Sequence, residues 1–129
     1  MKGPRSARAT ERGSASVELV VLMPLLLLIL FSGVQGAVYY HASTLAMAAA
    51  QEGARAAARE NATLAAGTSA ARGFVTEVAG DSLTAVTITG SRTPVTATIT
   101  VRGSSLSLVP GWTPVVEQFA SLPVERITR

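Results

Sequence analysis

The chain has 129 residues, 48% of them hydrophobic and 15% charged, with a formal net charge of +3 and no cysteine. That length holds one anchor and one small outer domain, and the missing cysteines exclude disulfides, thiolate metal sites and cysteine nucleophiles. The leader, residues 1–13, carries Lys2, Arg5, Arg8 and Arg12 against Glu11, so of eleven basic and eight acidic residues seven of each remain beyond it. The whole positive excess therefore lies at the N-terminus, where it reads as a topology signal and not as a nucleic-acid surface.

Every residue from Leu19 to Phe31 is apolar, and the uncharged stretch continues to Tyr40, 22 residues in all. As a helix it is about 33 Å long, enough to cross a hydrocarbon core of about 30 Å. Its apolar side chains point around the full circumference, which a domain this small has no means to surround. A single transmembrane helix over residues 14–40, bathed in membrane lipid, is expected. Pro24 removes one backbone hydrogen bond and marks a bend, which membrane helices accommodate. Gly33 with Ala37, and Ser32 with Gly36, form small-xxx-small pairs that admit a neighbouring helix. Tyr39 and Tyr40 close the run with amphipathic rings suited to the membrane boundary. The positive-inside tendency keeps the leader in the cytoplasm, so residues 41–129 are expected to face outward as an extracytoplasmic domain, helical over 41–80 and β-rich over 82–128.

Beyond Tyr40 the composition turns to alanine, the best helix former, and no proline intervenes, so the helix is expected to continue to about Glu60. Ala46, Ala50, Gly53 and Ala57 give it a small-residue face for close packing, either on other helices or on the chain's own sheet. Glu52 with Arg55, and Arg55 with Arg59, are charged neighbours at helical spacing. Asn61 and Thr63 are capping residues for a second helix that runs to about Ala79, stops at Gly80, and presents Phe74, Val75 and Val78 as its apolar face. Asn61-Ala62-Thr63 also matches a glycosylation sequon, a pattern that often arises by chance.

From Ser82 the period becomes two. Val86 and Ile88 alternate with threonine, and Val95, Ala97, Ile99 and Val101 alternate with Thr96, Thr98, Thr100 and Arg102, the pattern of half-buried antiparallel strands. Gly90-Ser91-Arg92-Thr93-Pro94 reads as the hairpin connection. One sheet face is expected against the long helix and the threonine face in solvent. Leu106 to Gln118, with Pro110-Gly111 and Trp112, reads as loop plus a short helical turn. Phe119 to Thr128 reads as a returning third strand that Pro123 confines to an edge or a bulge. The fold class is α+β: a long N-terminal helix, a small second helix, and an antiparallel hairpin or three-stranded sheet.

Catalytic groups are sparse. His41 is the sole histidine and Asp81 the sole aspartate, and nothing in their spacing brings them together beside a serine. No phosphate-binding loop and no His/Cys ligand set is present, so no enzyme activity, cofactor, metal, nucleic acid or small-molecule substrate is expected. The segment that carries information is Gly13-Ser14-Ala15-Ser16-Val17-Glu18. A peptidase cut after Gly13 makes Ser14 a new N-terminus and Glu18 the fifth residue, beside the free amine and the positive end of the helix. A central charge costs about 2.5–3.5 kcal/mol on insertion scales, less near the interface, and a neighbouring subunit's ammonium would neutralise it. The plainer alternative is that Glu18 complements the helix dipole at the cytoplasmic edge without any processing.

Gly13 followed by a fifth-position glutamate and an apolar helix resembles the class III signal of type IV pilins and pseudopilins. More narrowly, residues 12–19, Met23-Pro24-Leu25-Leu26, Gly33, and Ala50-Gln51-Glu52-Gly53-Ala54-Arg55-Ala56-Ala57 resemble the TadE-like proteins of the tight-adherence (Tad, Flp) pilus system. Leu19, where an aromatic residue often follows the glutamate, and Gln35, where an acid is frequent, depart from that pattern. The resemblance implies a pilin-like minor pseudopilin or assembly factor, cleaved by a prepilin peptidase and docking through Glu18 on other pilins, pseudopilins and assembly-platform proteins. It implies a single-pass cell-membrane location, associated with the pilus. The competing readings are a secreted or membrane-anchored small domain of unknown binding function with an ordinary signal sequence, its signal-peptidase positions −3 and −1 being Val34 and Gly36, and a membrane-anchored enzyme, which would need a polar cluster in the outer domain.

Overall fold

The structure, a computed structural model, describes residues 3–126, with side chains from Gly13 onward. The leader's Lys2, Arg5, Arg8, Glu11 and Arg12 side chains lie outside the described residues, as do Ile127 and Thr128 of the expected third strand. Two compact units divide the chain, Met1–Val34 and Gln35–Arg129. Helix α1 covers Gly3–Ala58, with Pro24 inside it.

In the first unit every described side chain is exposed, including the leucines of the apolar run. The second unit is an α+β domain. Its share of α1 buries Ala42, Ala46, Ala49, Ala50, Gly53, Ala54, Ala57 and Ala58, which recur at helical spacing as one stripe, while Gln51, Glu52, Arg55 and Arg59 face out. The stripe packs with Ala71, Val75, Leu83, Ile99, Val101 and Val116 into the core. Alanine suits this position because it lets the helix axis lie close to the sheet and loses no side-chain entropy on burial.

The last two carbonyls of α1, and that of Arg59 just past it, find donors. The Arg92 guanidinium donates from Nε to the Ala57 oxygen at 2.8 Å, Glu125 N–H donates to the Ala58 oxygen at 2.7 Å, and Ala62 N–H donates to the Arg59 oxygen at 3.0 Å. A cation at this end also complements the helix dipole. Asn61 turns the chain with φ of 62°, a conformation asparagine tolerates better than most residues. Helix α2 covers Leu64–Phe74, and the Thr63 side chain caps it by accepting from Ala66 N–H at 3.1 Å. A π-helical turn over Val75–Ala79 follows, closed by Gly80 N–H donating to the Val75 oxygen, with Gly80 at φ of 51°. The extra residue in that turn rotates the helix face. Val78, expected to pack, is thus exposed, and Ala79 is buried in its place.

The two helices meet backbone to backbone. A Cβ on Gly53 would stand 2.8 Å from the Gly67 oxygen and 2.9 Å from the Ala71 Cβ, and one on Gly67 would stand 2.8 Å from the Gly53 oxygen. Ile99 lies beneath both glycines.

The sheet has three antiparallel strands in the order β1, β2, β3: Leu83–Arg92, Thr96–Ser105 and Val115–Pro123. The central strand keeps strict alternation, with Ala97, Ile99, Val101, Gly103 and Ser105 buried. A bulge interrupts β1, where Ala85 and Val86 lie between the paired Thr84↔Ser104 and Thr87↔Arg102, and Ala85 takes φ of 50°. This shift lets Leu83 and Val86, at odd spacing, share the core side.

Two details correct the sequence reading, and a third agrees with it. Strand β1 runs on to Arg92, so the connection is Thr93-Pro94-Val95, held by the Thr93 hydroxyl accepting from Val95 and Thr96 N–H, and Val95 is exposed there. The expected helical turn before Gln118 is absent, because Val115–Gln118 already pairs with β2 as strand. Pro123 ends β3, an edge strand, where its missing N–H costs no ladder bond.

Candidate membrane and assembly face

The first unit holds the residues expected at the processing and assembly positions. Gly13, Ser14 and Glu18 are exposed on α1, and a Cβ on Gly13 would meet nothing within 4 Å. From Leu19 to Phe31 each large apolar side chain leaves more than two-fifths of its surface open, Leu22 the least at 43% and Val20 the most at 72%. Among the described residues one helix is long and apolar enough to cross a membrane, and its apolar stretch is not buried against the rest of the chain. Such a surface is unstable in water at about 25 cal/mol per Å² of apolar area and stable in lipid. Within it the Ser32 hydroxyl donates to the Leu28 carbonyl at 2.7 Å, so its polar group is satisfied inside the helix.

The small residues expected to pack helices fall into two sets. Gly33 and Gly36 are exposed, with open space where a Cβ would stand. Ala46, Ala50, Gly53 and Ala57 are buried inside the chain's own domain, in the contacts with α2 and the sheet described above.

Residues 13–55 match the family model of the TadE-like proteins. The matched segment begins at the glycine of the expected cut and contains Ser14, Glu18, Gly33, Gly36, Ala46, Ala50 and Gly53, while Ala57 lies just past it. It thus holds the fully exposed apolar stretch and most of the buried alanine stripe, and it agrees with the resemblance read from the residues. No curated protein and no solved structure shows a significant match.

Elsewhere in the second unit, a shallow open depression of about 290 Å³ is lined by Ser43, Thr44, Met47, Ala48, Gln51 and Gln118. Gln118 donates to the Ser43 hydroxyl at 2.8 Å across it. None of these side chains titrates, and among the described residues no group of three or more His, Cys, Asp or Glu is placed to hold a metal ion. His41 is exposed on α1, and Asp81 is exposed in the 3-10 turn that follows α2.

Sequence reasoning passed over Gln35 as a contact residue. Its amide donates to the Leu106 carbonyl at 3.1 Å and its oxygen accepts from Leu108 N–H at 2.7 Å. Tyr39 continues the same face, its hydroxyl donating to the Val115 carbonyl at 3.2 Å. The available signal was an amide placed inside an uncharged run, where it needs partners for both of its halves.

Proposed function

We propose that this protein is a single-pass subunit of the Tad pilus assembly system, a minor pseudopilin or assembly factor that a prepilin peptidase cuts after Gly13. The observation that carries the reading is the TadE-like match, which starts at Gly13 on the helix whose side chains are exposed through Val34. The basic leader sets an N-in topology, residues 14–40 anchor the chain in the cell membrane, and residues 41–129 form the extracytoplasmic part. Removal of the leader leaves equal numbers of acidic and basic side chains and a free amine at Ser14. Glu18 then pairs with the ammonium of a neighbouring subunit, which favours assembly in register because an unpaired charge at the membrane edge is costly. Gly33 and Gly36 are the positions assigned to contact with neighbouring helices. The work is mechanical, since binding and packing accomplish it and no bond is made or broken by this chain.

Complementation of a strain lacking the gene tests the reading. The wild-type protein restores pili. Glu18→Ala yields protein that is cleaved and retained in the membrane but leaves the cells bare, and Gly13→Leu leaves the leader attached. Normal piliation by Glu18→Ala would remove the pairing mechanism, and normal piliation without the gene would remove the pilus role.

A further inference from the structure

The sole tryptophan lies in the loop between β2 and β3, a segment to which the pilus reading gives no task. Leu106, Leu108, Val109 and Trp112 each leave about half of their surface open, and no charged residue occurs between Arg102 and Glu117. The loop is well braced. Ser105 N–H donates to the Pro114 carbonyl at 3.0 Å across its base, and Trp112 N–H donates to the Val109 carbonyl at 3.3 Å around the Pro110-Gly111 corner. Gly111 takes φ of 80°, the value that the second corner of a type II turn requires. Ser107 accepts from Val109 N–H, and both halves of the Gln35 amide bind the loop backbone.

We propose that Leu106, Leu108, Val109 and Trp112 form a second membrane contact, a braced loop that enters the headgroup boundary of the lipid surface that α1 crosses. The proposal rests on the membrane reading of residues 14–40. Gln35 immediately follows Val34 in the chain, the last residue of the exposed stretch, so the loop backbone is tied to the residue next to the apolar run, and in the proposed contact it sits at headgroup depth. Irregular backbone is tolerated at that depth only when protein groups satisfy its polar atoms. Gln35 does this for the Leu106 carbonyl and Leu108 N–H, and Ser107 does it for Val109 N–H. A tryptophan ring favours this boundary, and the exposed Tyr40 occupies neighbouring sequence on α1. Lipid is favoured over a basic or acidic protein partner because the patch carries no charge to match one.

Because Trp112 is the only indole, its fluorescence reports on the loop alone. The full-length protein is reconstituted in phosphatidylcholine vesicles that contain lipid brominated either near the headgroup or near the chain end, with iodide added outside. Strong quenching by shallow bromine, weaker quenching by deep bromine and little by iodide are expected. Gln35→Ala, and separately the Leu108→Ser/Val109→Ser double variant, which alters only exposed side chains, should shift the emission to the red and raise iodide quenching while the protein stays in the vesicles. Free access of iodide to the wild-type indole overturns the proposal and spares the anchor. Shielding from both quenchers means that protein covers the loop, which also overturns it. Release of the wild-type protein from vesicles by alkaline washing overturns the membrane reading and the loop contact together.

Discussion

Between Leu19 and Val34 helix α1 carries mostly large apolar side chains, all exposed, whereas between Ala42 and Ala58 it carries chiefly alanine, buried along one stripe. The two regions share one backbone conformation and differ in what surrounds them. Lipid accepts bulky groups on every side of a helix, so its sequence shows no face. A small sheet accepts the helix along one line only, and close approach there demands residues no larger than a methyl group. Hydrophobicity alone therefore does not distinguish a helix's environment; side-chain size and its angular distribution do.

Four substitutions break or sharpen the contrast. Ile99, buried where the sheet meets both helices, has the largest expected effect: Ile99→Ala should cost the second unit about 2–5 kcal/mol, read as a lower unfolding midpoint in detergent micelles. Next comes a matched pair of glycines on the same helix. Gly53→Ala gains about 1 kcal/mol of helix propensity but forces a Cβ against the Gly67 carbonyl, a backbone atom that cannot swing aside. Overpacking costs about 1–3 kcal/mol, so a net loss of about 1 kcal/mol is expected, while Gly33→Ala, with open space around it, should leave the same midpoint unchanged. Equal effects of the two would erase the distinction between the regions. The smallest effect belongs to Arg92→Met, which keeps the stem but removes the donor to the Ala57 carbonyl; about 1 kcal/mol and faster amide exchange in the last turn of α1 are expected.

Much of this architecture is legible in residue order because it depends on local spacing. The alanine stripe and the alternation through Ala97, Ile99 and Val101 follow from a repeat of 3.6 or 2, and the Thr63 cap from a hydroxyl residue just ahead of the helix. The features that escaped are those that depend on distant partners or on a single inserted residue. Val115–Gln118 lacks enough length to show its period and becomes strand only by pairing with β2. The bulge at Ala85 and the π-helical turn before Gly80 each shift a face by one residue, which a periodic reading cannot foresee. Gln35 and Leu106 are separated by 71 positions, so nothing nearby in the sequence announces their contact. The candidate site divides in the same way. Gly13, Ser14 and Glu18 are read from their spacing before an apolar run. Of the expected packing residues, spacing alone left open which of them meet the chain's own α2 and sheet; Gly67, on the other helix, decides it for Gly53.

The most direct measurement of the central claim is the intact mass of the protein extracted from membranes of cells with an active prepilin peptidase. A chain that begins at Ser14 and still contains Leu19–Val34 is predicted. A chain that begins at Met1, or one that has lost the apolar segment and begins beyond Gly36, would contradict the account.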